Sequence, residues 1–153
     1  MKILCMTPIE HLDGALNLMN QFGEVTYIPN ILKNEVNAKL IENKITHIFT
    51  NPNKQNFILN AELLSNTSVQ VINTCSTGLN HIDEQYCSDN NIDIWSLTKD
   101  YELINDLPST SELAFGLMMS LLRFIPTSFH SVKDGNWDYE PYVGFQVKGK
   151  TVG

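Results

Sequence analysis

The residues best suited to chemistry lie in one stretch, residues 74–83, which reads Thr-Cys-Ser-Thr-Gly-Leu-Asn-His-Ile-Asp. Gly78 permits a backbone turn that aims several N–H groups one way, and such a nest suits an anion. Ser76 and Thr77 would add hydroxyl donors, so a small carboxylate or phosphate fits the loop. The same residues also read as an ordinary strand-to-helix turn, with Asn80 or Asp83 capping the helix that follows. Elsewhere the chemistry is sparse. His11, His47, His81 and His130 each read as a solvated or hydrogen-bonded histidine rather than a general base. Cys75 and His81 form the one nearby thiol–imidazole pair, and no Ser/His/Asp or Cys/His arrangement is readable. Cys5, Cys75 and Cys87 lack metal-ligand spacing, so no metal site is expected.

Composition narrows the classes. The chain has 153 residues, enough for a domain with a sizeable core. Its formal net charge of −7 and single arginine, Arg123, argue against a nucleic-acid partner, because phosphate neutralisation needs cations. No apolar run reaches membrane-spanning length, and the N-terminus lacks a signal-peptide pattern. An odd number of cysteines, with Cys5 inside an apolar run, fits a reduced, cytoplasmic setting.

The elements that must position the loop follow from periodicity. Short apolar runs at residues 2–6, 24–28, 46–50, 69–73 and 92–95 read as strands. Amphipathic stretches at 9–22, 34–43, 56–64 and 83–89 read as helices between them. Strands alternating with helices predict an α/β fold: a flavodoxin-like parallel sheet with helices on both faces. Ligands bind such sheets beyond the carboxyl ends of the strands. That rule selects three loops, Thr7-Pro8, Asn51-Pro52-Asn53 and Ser76-Thr77-Gly78. Residues 97–108 are polar and irregular, which suits a domain crossing.

A long helix is expected over residues 109–134. Ser109 and Glu112 have the spacing of a capping box. Leu113, Leu117, Leu121, Phe124 and Ile125 follow at helical intervals, with Phe129 and Val132 beyond. Pro126 predicts a kink near Leu122, and Gly135 a stop. Gly116, without a side chain, offers a place for another backbone to approach. The apolar stripe is broader than a surface helix needs, so it is expected to join two domains or two subunits.

Five motifs in order carry a resemblance: S-T-G-L-N-H-I-D at 76–83, S-T-S-E-L at 109–113, R-F-I-P at 123–126, K-D-G-N-W at 133–137, and V-K-G-K-T-V-G at 147–153. Together they resemble the N-terminal part of the D-isomer-specific 2-hydroxyacid dehydrogenases, phosphoglycerate dehydrogenase-like members above all. The resemblance is clear over 69–153 and rests on fold alone over 1–68. It implies a substrate domain over residues 1–100. Residues 101–153 would then form the crossover, the long helix and the first strand of a truncated Rossmann domain that binds NAD or NADP. It implies hydride transfer between the nicotinamide and C2 of a small 2-hydroxy or 2-keto acid. Backbone at Thr77 and Gly78 would hold the substrate carboxylate, and Asn51 would line the cleft. Thr77 and Thr110 would lie near the cofactor. The long helix would lie at a homodimer interface.

The chain departs from the family pattern in two places. The segment between Ile94 and Ser109 is longer than usual and lacks an N-x-P-G-like turn, so Tyr101 or Glu102 is expected to enter the cleft. The family's G-x-G-x-x-G turn and its catalytic Arg, Glu and His would all lie past Gly153. The chain is therefore expected to be part of a longer enzyme and inactive by itself. The competing readings are a non-catalytic flavodoxin-like module that binds small anions, and an acidic interaction domain that works through the helix.

Overall fold

In the computed structural model, which describes residues 1–52 and 56–153, the chain divides into two compact units, Met1–Ile104 and Asn105–Gly153. The first unit holds five strands, β1 (Lys2–Cys5), β2 (Glu24–Tyr27), β3 (His47–Thr50), β4 (Val71–Thr74) and β5 (Asp93–Trp95). All neighbouring pairs are parallel and the order is β2-β1-β3-β4-β5. This is the flavodoxin-like order, with its reversal between β1 and β3.

Register explains why the apolar runs become strands. Leu4 lies opposite Ile48, Ile48 opposite Ile72, and Ile72 opposite Ile94, so one aliphatic row crosses four strands. Leu4, Ile48 and Ile72 are buried among Val36 and Leu40 of α2 (Lys33–Glu42), Leu63 and Leu64 of α3 (Ala61–Leu64), and Cys87 of α4 (Glu84–Asp89). Each large aliphatic buried there contributes roughly 1.5–3 kcal/mol. The opposite face is thinly covered. Ile3, Phe49, Val71 and Trp95 line an apolar hollow of about 540 Å³, with Met19 and Phe22 of α1 (Ala15–Phe22) at its side.

The helices differ from the expected spans for local reasons. α1 starts at Ala15 rather than at residue 9, because Gly14 takes a left-handed conformation (φ 78°) that no right-handed helix passes through. Leu12 and Leu16 are consequently exposed, and only Ala15 and Met19 of the expected face are half-buried. Of the helix expected over 56–64, only α3 forms. Leu59 instead bridges to Ile82, donating its N–H to the His81 carbonyl at 2.9 Å, and that pairing needs extended backbone. Asp83 caps α4 as expected, its carboxylate accepting from the Tyr86 N–H at 3.0 Å. The stretch 97–108, expected to be irregular, contains a 3-10 turn (Leu97–Lys99) and α5 (Tyr101–Asn105). Ser96 accepts from the Thr98 N–H at 3.4 Å, and Asp100 from the Leu103 N–H at 3.3 Å, and these bonds start the two turns.

In the second unit the expected long helix is two helices, α6 (Ser109–Leu122) and α7 (Ile125–Lys133). Phe124 has a left-handed backbone (φ 54°), and the axis of α7 departs by 60° from that of the helix ending at Leu122. Pro126 lies in the first turn of α7, where a missing N–H costs nothing, so the proline starts a helix rather than kinking one. The Ser109–Glu112 capping box does not form. Pro108 is the N-cap, and its own backbone is already helical. Ser109 therefore sits inside the first turn, past the place from which a capping hydroxyl accepts. Gly135 (φ 84°) ends α7 as expected. Phe145 donates its N–H to the Leu122 carbonyl at 3.0 Å, tying the tail to the end of α6. The strand expected at the C-terminal end is not formed. A strand needs a neighbour to share its hydrogen bonds, and among its described residues this unit contains no other strand.

No residue of α6 or α7 is buried, and Leu113, Phe115, Leu117, Leu121 and Phe129 are exposed. A Cβ added at Gly116 would meet nothing within 4 Å. Among the described residues no single helix is long and apolar enough to cross a membrane.

Candidate functional site

The parallel sheet sends the carboxyl ends of β1, β3 and β4 to one edge of the first unit. Thr7, Thr50 and Thr74, at or just past those ends, are all buried, so the edge is a polar rim set into the core. A cavity of about 330 Å³ opens there, lined by Met6 from the exit of β1, Thr50 at the end of β3, Asn51 just past it, Phe57, Asn80 and His81. It lies at the reversal of strand order, where ligands of such sheets bind. Asn51 thus lines this cavity. Asn53, in the same expected loop, lies outside the described residues.

The loop after β4 is built by its own hydroxyls. The Ser76 hydroxyl donates to the Gly78 carbonyl at 2.8 Å. The Thr98 hydroxyl donates to the Thr77 carbonyl at 2.9 Å, and the Leu97 N–H to the Ser76 carbonyl at 3.1 Å. Three successive carbonyls are therefore occupied. The Thr77 and Gly78 amides have no acceptor among the described residues, and both residues are exposed. Two details differ from the sequence expectation. The φ of Gly78 lies outside the left-handed region, so the loop is not a left-handed nest. Ser76 spends its one proton inside the loop and is no free donor. What glycine supplies here is open space, since a Cβ at Gly78 would find only Asn80 Oδ1, at 3.9 Å.

His81 is the residue that sequence reasoning undervalued. It is hydrogen-bonded, as expected, but it is also buried. Its Nε2 lies 3.1 Å from Thr74 Oγ1, which lies 2.8 Å from Ser76 Oγ. Its Nδ1 is buried without a partner among the described residues. Burial disfavours the charged ring and lowers its pKa below the ordinary histidine value. The available signal was a polar Thr74 ending an apolar run, with a histidine in the turn beyond it.

The cysteine surroundings disfavour the thiolate. Burial pushes the Cys5 thiol up, partial desolvation raises Cys75 although that residue is exposed, and burial with the Asp83 and Glu84 charges pushes Cys87 up to about 11. A thiolate attack needs the opposite shift. No group of three or more metal-ligating side chains occurs among the described residues. Thr110 sits exposed in the first turn of α6, and Tyr101 and Glu102 sit exposed in α5.

Comparison with known proteins places this geometry. No family model matches the chain. D-3-phosphoglycerate dehydrogenase of Methanocaldococcus jannaschii is 26% identical over 153 residues, covering 99% of this chain. This chain spans 27% of that protein's length. An acyclic imino acid reductase solved with NADPH and D-Arg superposes with a TM-score of 0.75 at 16% identity, over 96% of this chain and 46% of its own. D-lactate dehydrogenase from Aquifex aeolicus, solved with NAD and lactic acid, gives 0.70 at 18% identity, over 96% of this chain and 41% of its own. The structural matches establish the fold. The sequence match shows a chain similar over nearly its whole length to a D-3-phosphoglycerate dehydrogenase, and corresponding to about a quarter of that protein.

Proposed function

We propose that the chain is the substrate-holding portion of an NAD(P)-dependent oxidoreductase acting on the CH–OH group of a small 2-hydroxy acid. One observation carries this reading. The Thr77 and Gly78 amides have no acceptor among the described residues at the carboxyl end of β4, in a chain alignable over nearly its whole length with a D-3-phosphoglycerate dehydrogenase. Two N–H donors on adjacent residues suit a carboxylate, and the open Gly78 lets it approach the backbone. Asn51, lining the cavity at the strand reversal, would contact the rest of the acid.

The residues present do not by themselves form a dinucleotide site. Such a site needs a strand, a glycine-rich turn and a helix N-terminus for the pyrophosphate. The described residues of the second unit contain helices and no strand. When bound to the complete enzyme, NAD or NADP would supply the hydride. This chain would contribute the carboxylate grip, with Thr77 and Thr110 on the cofactor side. The test is an NMR titration of the 153-residue chain with oxalate or pyruvate. Thr77 and Gly78 amides should shift first, and shifts confined elsewhere would overturn the assignment.

The same exposed Thr77 and Gly78 amides would also serve a second reading, a non-catalytic small-anion module. Both readings predict the titration result. They part on whether a longer form of the protein carries a G-x-G-x-x-G turn and turns over a 2-keto acid. We further propose a homodimer through α6 and α7, supported by their exposed apolar side chains. A cytoplasmic setting is supported by three free cysteines. Neither nucleic acid nor membrane is proposed as a partner, on the acidic charge and the short apolar runs.

A further inference from the structure

The hydroxyls between His81 and the loop admit one proton arrangement. Ser76 Oγ and the Gly78 carbonyl oxygen are 2.8 Å apart, a distance two oxygens tolerate only with a proton between them. A carbonyl has none to give, so Ser76 donates. Its single proton is then used, and Thr74 must donate across the 2.8 Å contact to Ser76. Thr74 in turn has no proton left for His81, 3.1 Å away, so Nε2 must carry one. The chain runs one way, from His81 Nε2 to Thr74 to Ser76 to the Gly78 carbonyl.

We propose that His81, fixed as the Nε2–H tautomer, is a positioning residue for the anion loop. Through Thr74 and Ser76 it holds the Gly78 carbonyl and leaves the Thr77 and Gly78 amides as the loop's unspent donors. This rests on the reading of the loop as a carboxylate site. The unpartnered, buried Nδ1 is the matching observation, because the acceptor nitrogen of this tautomer is the one left without a donor. Burial disfavours the charged ring, which makes the Nε2 proton the one the ring keeps. His81 touches no substrate in this scheme. It acts through two hydroxyls, one of them buried in β4.

Nitrogen-15 spectra of histidine-labelled 153-residue chain report the tautomer directly, and oxalate titration reports the loop. The folded chain should show His81 protonated at Nε2 alone. Ser76→Ala cuts the chain at its half-buried end without touching the core. It should weaken oxalate binding by roughly ten-fold, the size of one lost neutral hydrogen bond. Thr74→Val should do the same, and Thr74→Ser should restore binding. A His81 ring protonated at Nδ1, or a mixture of tautomers, overturns the proposal. So does oxalate binding that is unchanged in Ser76→Ala. Wild-type chain that binds no oxalate overturns the anion reading and the positioning role together. An intact wild-type response that the variants leave unaltered removes the role of His81 alone.

Discussion

Gly78→Ala separates a binding role from a structural one. Glycines are usually required where φ is positive or where another atom fills the place of Cβ. Neither condition holds at Gly78. Its φ lies outside the left-handed region, and the nearest atom to an added Cβ is Asn80 Oδ1 at 3.9 Å, ordinary van der Waals contact. The methyl group therefore costs the folded state nothing. In the unfolded state alanine has fewer conformations than glycine, which stabilises the protein by about 0.4–1 kcal/mol. A ligand at the Thr77 and Gly78 amides experiences the opposite. Donation from an amide alone tolerates a Cβ, but the remaining atoms of a carboxylate lying across both amides would meet a methyl group standing in the open space at Gly78. Binding of oxalate should weaken measurably while urea midpoints stay level or rise. Equilibrium unfolding gives the first quantity, and amide shift titration the second. Wild-type oxalate affinity in Gly78→Ala would refute the claim that ligand occupies the open space at Gly78. A loss of stability above about 1 kcal/mol would refute the geometry assigned to the loop.

Other outcomes follow from the same structure. Ile72→Ala, at a position fully buried in the aliphatic row, should destabilise the first unit by about 2–5 kcal/mol in urea unfolding, and a loss under about 1 kcal/mol would contradict the core assignment. His81 and His47 both have pKa values lowered by burial from the usual 6.5, so the unfolded state binds more protons below that value. Stability should hold above about pH 6.5, fall as pH drops through it, and level off below the folded-state values; unfolding curves flat between pH 7 and 5 would speak against neutral buried rings. If α6 and α7 mediate a homodimer, sedimentation should be concentration-dependent, and Leu117→Glu, which places a charge on an exposed apolar face, should yield monomer. Monomeric wild-type chain at high concentration would remove that proposal. Residues 1–153 alone should oxidise no NADH or NADPH with any 2-keto acid, monitored by cofactor absorbance, and clean activity would show that the missing dinucleotide turn is dispensable.

Sequence alone determined the alternation of strands and helices, the parallel sheet and the loop worth attention. These follow from local rules: apolar runs of four or five residues, a 3.6-residue period, and glycine and proline punctuation. Asp83 as a cap and Gly135 as a stop are local in the same sense, since each acts within one turn of its own helix. The failures were decided by atoms distant in sequence or by competition within a turn. Residues 56–60 read as helix until Leu59 found the His81 carbonyl, a partner the local pattern does not contain. Ser109 looked like a cap until Pro108 adopted helical backbone ahead of it. Pro126 was read as interrupting one helix, but the left-handed Phe124 had already ended it. The site divides in the same way. Thr77 and Gly78 were legible as a loop with donors, because glycine beside hydroxyls at a strand end is a local signal. That Ser76 spends its proton on Gly78, and that Thr74 joins both to a buried His81, required the coordinates. A hydroxyl has one proton, and only the tertiary structure decides where it goes.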